Sequence, residues 1–578
     1  MSDFDVMIMG SGLGGSVTAT IMARKGWRVL LIDAGSHPRF AIGEATTPDI
    51  SFLMKIMSRK YDVPELYNLT AFHRLRDRVS SACGIKKSFS FLYHDENKEV
   101  NPKHSHQFPT LAPPMGPDCH FFRQDTDAYM VGVALEHGVE VRQRTQIENI
   151  DVNDDGVVLT SSTGEEFRGR YLIDGCGFRS PLAAKFGLRD EPTRLKTKSR
   201  ALFTHMIGVP PFEELVDDAK EFGLHYRLSE GTLHHMFDGG WMWIIPFNNH
   251  EGSTNPLCSV GVLLDSDRYP KTDQPPAEEF AELIARFPSV ARQLGNAKPA
   301  RDWVSTGRLQ YSSSDIVGDR YCLLAHAGGF VDPLYSTGLN LTMSMIDDLI
   351  PKLDAALQAD KFERAEFASV NENYQERLEF CDRMVHNSFR AFGNFDLWDA
   401  WVRVWVVSNF VGSALNINLF MNYEKTGDRK WLFKTEGGPT SGVIGSRFRA
   451  NAEMVEAAGE FMQNFADGHI TASEAADGIR SLLAKLKYIP TYFNWHRKDV
   501  RSPPPLTIPY ITKMYLWFAM FAPTEFRKDL MAVNFSGVVS YTLKNIREHR
   551  SRVKLRKPYL RDVFVARDKS RQKENAKH

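Results

Sequence analysis

Phe4-Asp-Val-Met-Ile-Met-Gly10-Ser-Gly12-Leu-Gly-Gly15, an Ala/Met/Val-rich run to about Lys25, and then Arg28 to Asp33 form the stretch that decides the fold. Phe4 to Met9 is apolar enough for a buried strand, the middle run reads as a helix, and Arg28 to Ile32 reads as a second strand. A strand, a glycine turn, a helix and a strand ending in an acid make one dinucleotide-binding unit. The glycines let the backbone approach a pyrophosphate, and the helix N-terminus receives its charge. Asp33 can bind ribose hydroxyls, which favours a free 2′-hydroxyl over a 2′-phosphate.

Outward from this unit, 578 residues with 43% hydrophobic and 25% charged side chains fit a globular chain of two or three domains. The formal net charge is zero, so no nucleic-acid partner is expected. The six cysteines contain no C-x-x-C pair, which argues against zinc or a disulfide framework and fits a reduced cytoplasm. No metal site is expected. The first residues show no basic leader or cleavage-site pattern, and no apolar run reaches the ~18 residues of a membrane span. Phe395 to Phe420, with Trp398, Trp401 and Trp405, reads as too interrupted by charge for one.

Further stretches carry chemistry-bearing residues. Gly43-Glu-Ala-Thr-Thr-Pro48 reads as a turn. Lys86 and Lys87 precede an alternating strand to Tyr93, and adjacent strand residues face opposite ways, so only one can enter a given pocket. Both could equally be surface lysines. Arg123 and Asp127 open a helix that runs to about Gly138. Asp174-Gly175, at a strand end, suits close backbone approach to a phosphate or ribose. An antiparallel sheet is expected mainly over 80–115 and 200–310, with Trp241 and Trp243 on one face of a strand. In Phe330 to Asn340, Pro333 and Gly338 bracket a tight loop, Gly338 being the residue able to take φ > 0. Ser336, Thr337 and Gly338 stand at the N-terminus of a helix predicted over Leu341 to Leu357, a ready anion site. Everything beyond reads helical and aromatic-rich. From Lys544 onward, thirteen Lys/Arg face four Asp/Glu.

Four motifs together resemble the flavin-dependent halogenases, within the FAD-dependent aromatic monooxygenase fold group. They are Gly10-x-Gly12-x-x-Gly15, Gly43 to Pro48, Trp241-x-Trp243-x-Ile245-Pro246, and Phe330-x-x-Pro333-x-x-Ser336-x-Gly338. The resemblance covers about Met1 to Leu357. It implies an α/β (α+β) fold: a Rossmann-like FAD-binding module over 1–357 with the inserted antiparallel substrate sheet, then a helical C-terminal domain over 358–578 with a basic tail at 544–578. It implies FAD held by Gly10, Gly12, Gly15, Asp33, Ala45, Arg123, Asp174, His326, Asp332, Gly338, Leu339 and Asn340. Chloride or bromide would sit at Pro333, Ser336, Thr337 and Gly338.

The family's catalytic lysine lies five residues before a phenylalanine on a strand. Lys86, before Phe91, has that spacing, and Lys87 is the alternative; Glu44, Trp241 and Trp243 complete the implied catalytic set. The implied chemistry makes hypohalous acid from a flavin hydroperoxide and halide, relays it by lysine to an electron-rich aromatic, and takes reduced FAD from a separate flavin reductase. Two departures matter. Tyr335 stands where tryptophan-specific members carry glutamate, so the resemblance is closer to the branch acting on phenols, pyrroles or carrier-tethered aryl groups. Ala325-His326-Ala327-Gly328 stands where many members have Gly-Asp-Ala-Ala, so His326 takes the place of a carboxylate. The competing readings are an FAD monooxygenase that hydroxylates or epoxidises, and a non-catalytic flavoprotein that binds a carrier protein or a membrane surface.

Overall fold

The computed structural model describes residues 3–530 apart from 114, 217 and 218, together with 537, 539–541, 543, 544 and 547. The basic tail at 544–578 therefore lies outside the described residues, except for Lys544 and Arg547. Two large sheets and a helical layer build the molecule.

The first sheet has the strand order Val317–Gly318, Tyr321–Leu323, Glu166–Asp174, Phe4–Met9, Val29–Asp33, Glu140–Gln143. From Tyr321–Leu323 to Glu140–Gln143 all pairs are parallel. Both faces are covered, so Val6 to Met9 and Val29 to Ile32 are buried without alternation. Helix Leu13–Arg24 crosses over this sheet and enters it with no side-chain cap. Its first turn leaves backbone N–H groups for a ligand.

The second sheet runs Lys298–Pro299, Ser199–Ile207, Cys258–Asp265, Gly240–Pro246, Thr232–Phe237, Ser88–His94, Ser105–Pro109. It departs from the expected antiparallel sheet in one place: Thr232–Phe237 pairs parallel with Ser88–His94. A long connection, not a hairpin, joins these two strands, so no tight turn dictates antiparallel pairing. Lys86 also leaves this sheet. Gly84–Lys86 forms a separate two-stranded ladder with Asp118–His120. Period-2 alternation divides Gly240–Pro246 as expected. Trp241 and Trp243 face the main core, while Met242 and Ile244 join a second apolar cluster under helices Pro276–Ala285 and Pro288–Leu294.

Helices Gly338–Ala359, Ala368–Ala391 and Phe395–Thr426 build the third layer. The main apolar core continues through them with no break at residue 357. Phe395–Thr426, capped by Asn394 and ended by Gly427 at φ 69°, packs on Pro48–Lys60. By length and composition it could cross a membrane, contrary to the sequence reading, but 83% of its most apolar window is buried inside the protein. Its charges lie toward its two ends; near the first, Asp399 pairs with Arg403 and Arg480. Trp398, Trp401 and Trp405 are all fully buried.

Candidate active site

Two cavities flank the Gly240–Pro246 and Ser88–His94 region, and a single lysine stands by the wall between them. The first, about 350 Å³, is lined by the glycine turn after the first strand, by Ile42 to Ala45, Arg123, the backbone of Gly175 to Gly177, and by Trp241, Trp243, His326, Pro333, Ser336, Gly338 and Leu339. The glycine turn is shaped by close approach. Gly10 is at φ 94°, and a Cβ on Gly15 would be driven into the Gly10 carbonyl oxygen. Gly12 has free space beside it, as a turn receiving a ligand requires.

Two carboxylates expected to face a nucleotide are instead tied to the protein. Asp33 accepts from the Ser11 N–H and hydroxyl, each at 2.7 Å, from the Gly35 N–H, and from both arms of Arg39 at 2.5 and 2.6 Å. These donors hold its pKa below the usual carboxylate range against the effect of burial. A ribose would have to displace Arg39. Asp174 accepts from the Cys176 N–H, the Ser180 hydroxyl and the Leu182 N–H. It fastens its own loop, so the following backbone, rather than the carboxylate, faces the cavity.

Arg123 spans Asp127 and the carbonyls of Ile42 and Gly43, pinning the 42–45 segment to the cavity wall. Glu44 is bonded to His205 at 2.8 Å, and Ala45 bridges to His120. Thr47, two residues on, caps helix Pro48–Lys60, so the stretch read as a turn is an extended arm ending in a helix start. His326 is partly buried, and desolvation of its ring, with Arg123 nearby, lowers its pKa to about 4 and keeps the ring neutral. Its Nε2 has no protein partner among the described residues, and the position of a Gly338 Cβ lies 3.1 Å from it. A buried ring nitrogen without a partner beside a glycine cradle and an open helix N-terminus suits a polar ligand edge. These residues fit FAD.

The 330–340 loop is irregular for a different reason from the one expected. The left-handed residues are Tyr335 at φ 73° and Ser336 at φ 56°, not Gly338. Such strain persists where packing over-determines it. Here the Tyr335 ring stacks on Trp405 at 4.7 Å, and its hydroxyl bonds to Ser388 at 2.7 Å. Gly338 is needed instead for closeness to His326. Asp332 accepts from the Ser199 hydroxyl and the Leu334 N–H, and burial pushes its carboxyl up to about 7. Thr337 is buried with its side chain at the Cys381 thiol, so only its backbone remains for an anion. Asn340 does not reach the cavity through its side chain, which binds Asp49 at 2.5 Å.

The second cavity, about 100 Å³, is apolar and aromatic. Phe89, Phe108, Trp405, Phe410, Trp495 and Tyr515 line it, with Asn409, Ser413 and Tyr510 among its polar members. The buried Asn409 Oδ1, Ser413 Oγ and Tyr510 hydroxyl have no protein partner among the described residues. Its wall is assembled from both halves of the chain.

Lys86 is buried, donates to the Thr46 carbonyl at 2.8 Å, and lies 3.5 Å over the Phe89 ring. Burial lowers its pKa to about 7. Phe89 lines the second cavity and stacks with His234, which lines the first. Lys87 points away, paired with Glu230 at 2.9 Å beside an outer groove. Alternation thus separates the two lysines. Sequence reasoning missed the Thr46 carbonyl, Phe89 as the shared wall, Asp118 opposite Lys86, and the second cavity. Only Phe89 carried a signal, as an aromatic residue on the predicted strand.

Comparison with known proteins decides the family. Residues 86–404 match the family model described as tryptophan halogenase, and residues 8–59 match an NAD(P)-binding Rossmann-like domain. The chain belongs to the flavin-dependent halogenase family. It is 43% identical over 474 residues to the tetracycline 7-halogenase of Kitasatospora aureofaciens, covering 82% of this chain and 85% of that relative. It is 40% identical over 532 residues to the monodechloroaminopyrrolnitrin halogenase of Pseudomonas fluorescens, covering 91% and 93%. The solved structure of halogenase PltM in complex with phloroglucinol and FAD superposes with a TM-score of 0.83 at 34% identity, over 87% of this chain and 100% of that one. The protein is therefore an FAD-dependent, halide-using enzyme.

Proposed function

We propose that this halogenase substitutes an electron-rich ring bearing polar groups, phenolic or pyrrolic, with Lys86 as the relay between the two cavities. The observation that carries this reading is the place of Lys86. Its side chain is buried on the Phe89 ring, an aromatic that borders the aryl cavity and stacks on the wall of the flavin cavity. Gly10, Gly12 and Gly15 with the N-terminus of helix Leu13–Arg24 hold the FAD phosphates. Arg123, Glu44, Ala45, His326 and Leu339 shape the wall for the ring system. Reduced FAD held by these residues, and delivered by a separate flavin reductase, would supply the activated oxygen that turns halide into hypohalous acid.

The chain's own residues do the rest. Backbone N–H groups of Thr337 and Gly338, at a helix N-terminus, hold the halide. Trp241 and Trp243, buried with rings 5.9 Å apart, keep the ring substrate away from the flavin. The Lys86 ammonium hydrogen-bonds the hypohalous acid and presents its halogen to the aryl cavity, and the dry surroundings exclude water as a competing nucleophile. Residues 1–357 act as the flavin module, and residues 358–578 supply much of the aryl wall. Two features favour a ring other than free tryptophan: Tyr335 is locked to Ser388 and Trp405, and the cavity's polar side chains include hydroxyl and amide groups.

The test supplies purified protein with a flavin reductase, NADH and a panel of phenols, pyrroles and free tryptophan, with and without chloride or bromide, and reads product mass. Halide-dependent mass gain on a phenol or pyrrole is expected. Oxygen insertion without halide, or efficient chlorination of free tryptophan, overturns the reading.

A further inference from the structure

The strongest group that the reaction above does not use is a buried carboxylate beside the relay lysine. Asp118 lies directly across the two-stranded ladder from Lys86, so the two side chains leave the same face. Its Oδ1 accepts from the Ser51 hydroxyl at 2.7 Å, while Oδ2 is buried with no partner among the described residues. A second buried ammonium, Lys55 on helix Pro48–Lys60, attracts Asp118 from another side; it donates to the Met115 carbonyl at 2.9 Å and rests over Phe52. The carboxylate therefore stands in the field of two buried cations without a direct ion pair to either. A buried carboxylate oxygen without a hydrogen-bond partner is costly to keep, so its retention calls for a role.

We propose that Asp118 is a positioning residue for the relay: its carboxylate keeps Lys86 in the ammonium form that holds hypohalous acid, and shares the proton that Lys86 gives and regains in each turnover. This rests on the assignment of Lys86 above. The proton count closes. The ring's π pair forms the carbon–halogen bond, the oxygen–halogen bond breaks with its electrons on oxygen, and that oxygen takes a proton from the Lys86 ammonium and leaves as water. The ring carbon then releases its proton, and the Lys86 amine and Asp118 carboxylate together take it up, restoring ammonium and carboxylate. The groups facing Lys86 agree with this. The Cys119 thiol is pushed well up by burial and stays neutral, and His120 and His234 are held neutral, at about 3, by burial. Asp118 is thus the anion that supports the Lys86 charge. Burial raises the Asp118 carboxyl and lowers the Lys86 ammonium, so the two draw toward each other in the sense that proton sharing requires.

The experiment compares native enzyme, Asp118→Asn, Asp118→Glu and Lys86→Ala, each with FAD, a flavin reductase and a phenol found to be a substrate. It reads halogenation against pH, with peroxide formation and FAD stoichiometry on the same preparations. The Asn variant is expected to bind FAD and form peroxide normally, with the basic limb of its halogenation profile moved down by about one pH unit, about a tenfold loss on that limb. The Glu variant is expected to restore the native limb position. A native profile in Asp118→Asn, or a loss of FAD binding that makes Asp118 a fold residue, overturns the proposal. If Lys86→Ala itself halogenates, the relay assignment fails instead, whatever Asp118→Asn does.

Discussion

The flavin cavity and the aryl cavity are built in opposite ways. The first is shaped mainly by backbone: the glycine turn, the 175–177 segment, the 42–45 arm and the 333–339 loop. Each piece is a contiguous motif whose residue types are dictated by close approach or a helix N-terminus. The second is shaped by side chains from widely separated segments, among them Phe89, Phe108, Trp405, Trp495 and Tyr515. Any one of these would pass as ordinary core. A cofactor common to a whole fold needs fixed backbone geometry. A substrate particular to one enzyme needs only a surface of suitable shape, which many side-chain combinations supply.

That contrast can be broken most sharply at Gly15. A Gly15→Val chain places its Cβ against the Gly10 carbonyl oxygen and should lose FAD almost completely. Gly12→Val, with open space on the protein side, should fold and still lose FAD through the pyrophosphate alone. Flavin absorbance after gel filtration reads both, and full retention in either would dissolve the backbone-built side of the comparison. Next in size, Lys86→Ala should give no halogenated product while peroxide formation continues, whereas Lys87→Ala should change the rate by less than about twofold, since its pair with Glu230 is partly exposed. The reverse outcome would move the relay to the outer groove.

On the aryl side, Asn409→Leu should leave FAD binding intact. It should cut kcat/KM for a hydroxyl-bearing substrate by roughly 10- to 100-fold, because a buried polar partner is lost. An equal fall for every ring in the panel would mean that the residue only packs. The smallest effect concerns Lys55, which burial lowers to about 7. Between there and the unfolded value of ~10.4 the unfolded chain binds more protons. The destabilisation is therefore fully present below about 7 and fades as pH rises towards the unfolded value. Lys55→Met should stabilise the fold near neutral pH by on the order of 1 kcal/mol, read as a higher Tm, and the gain should shrink in alkali. A lower Tm at neutral pH would show that the ammonium stabilises the fold.

Some residues were legible because physics leaves little choice. The strand–glycine–helix–acid unit, the shared face of Trp241 and Trp243, and the opposed directions of Lys86 and Lys87 all follow from backbone periodicity. For others the sequence could not show the partners. Asp33 and Asp174, expected as nucleotide ligands, are hydrogen-bonded within the protein to Arg39, Ser11 and Ser180. The positive φ fell on Tyr335 and Ser336 because Trp405 and Ser388, from a distant helical layer, lock the tyrosine in place. The apolar helix Phe395–Thr426 was judged by its charges, which the fold pairs internally.

The sequence by itself determined the dinucleotide unit, the irregular loop before helix Gly338–Ala359 and which motifs lie in which order, because local backbone conformation and short spacings set these. Only the tertiary structure decided that Lys86 lies beside the wall shared by two cavities, that Asp118 stands across from it, and that the aryl cavity draws its wall from both halves of the chain. Those are long-range packing outcomes. They depend on which buried surfaces meet, and no residue's identity or near neighbours encode its partner hundreds of positions away.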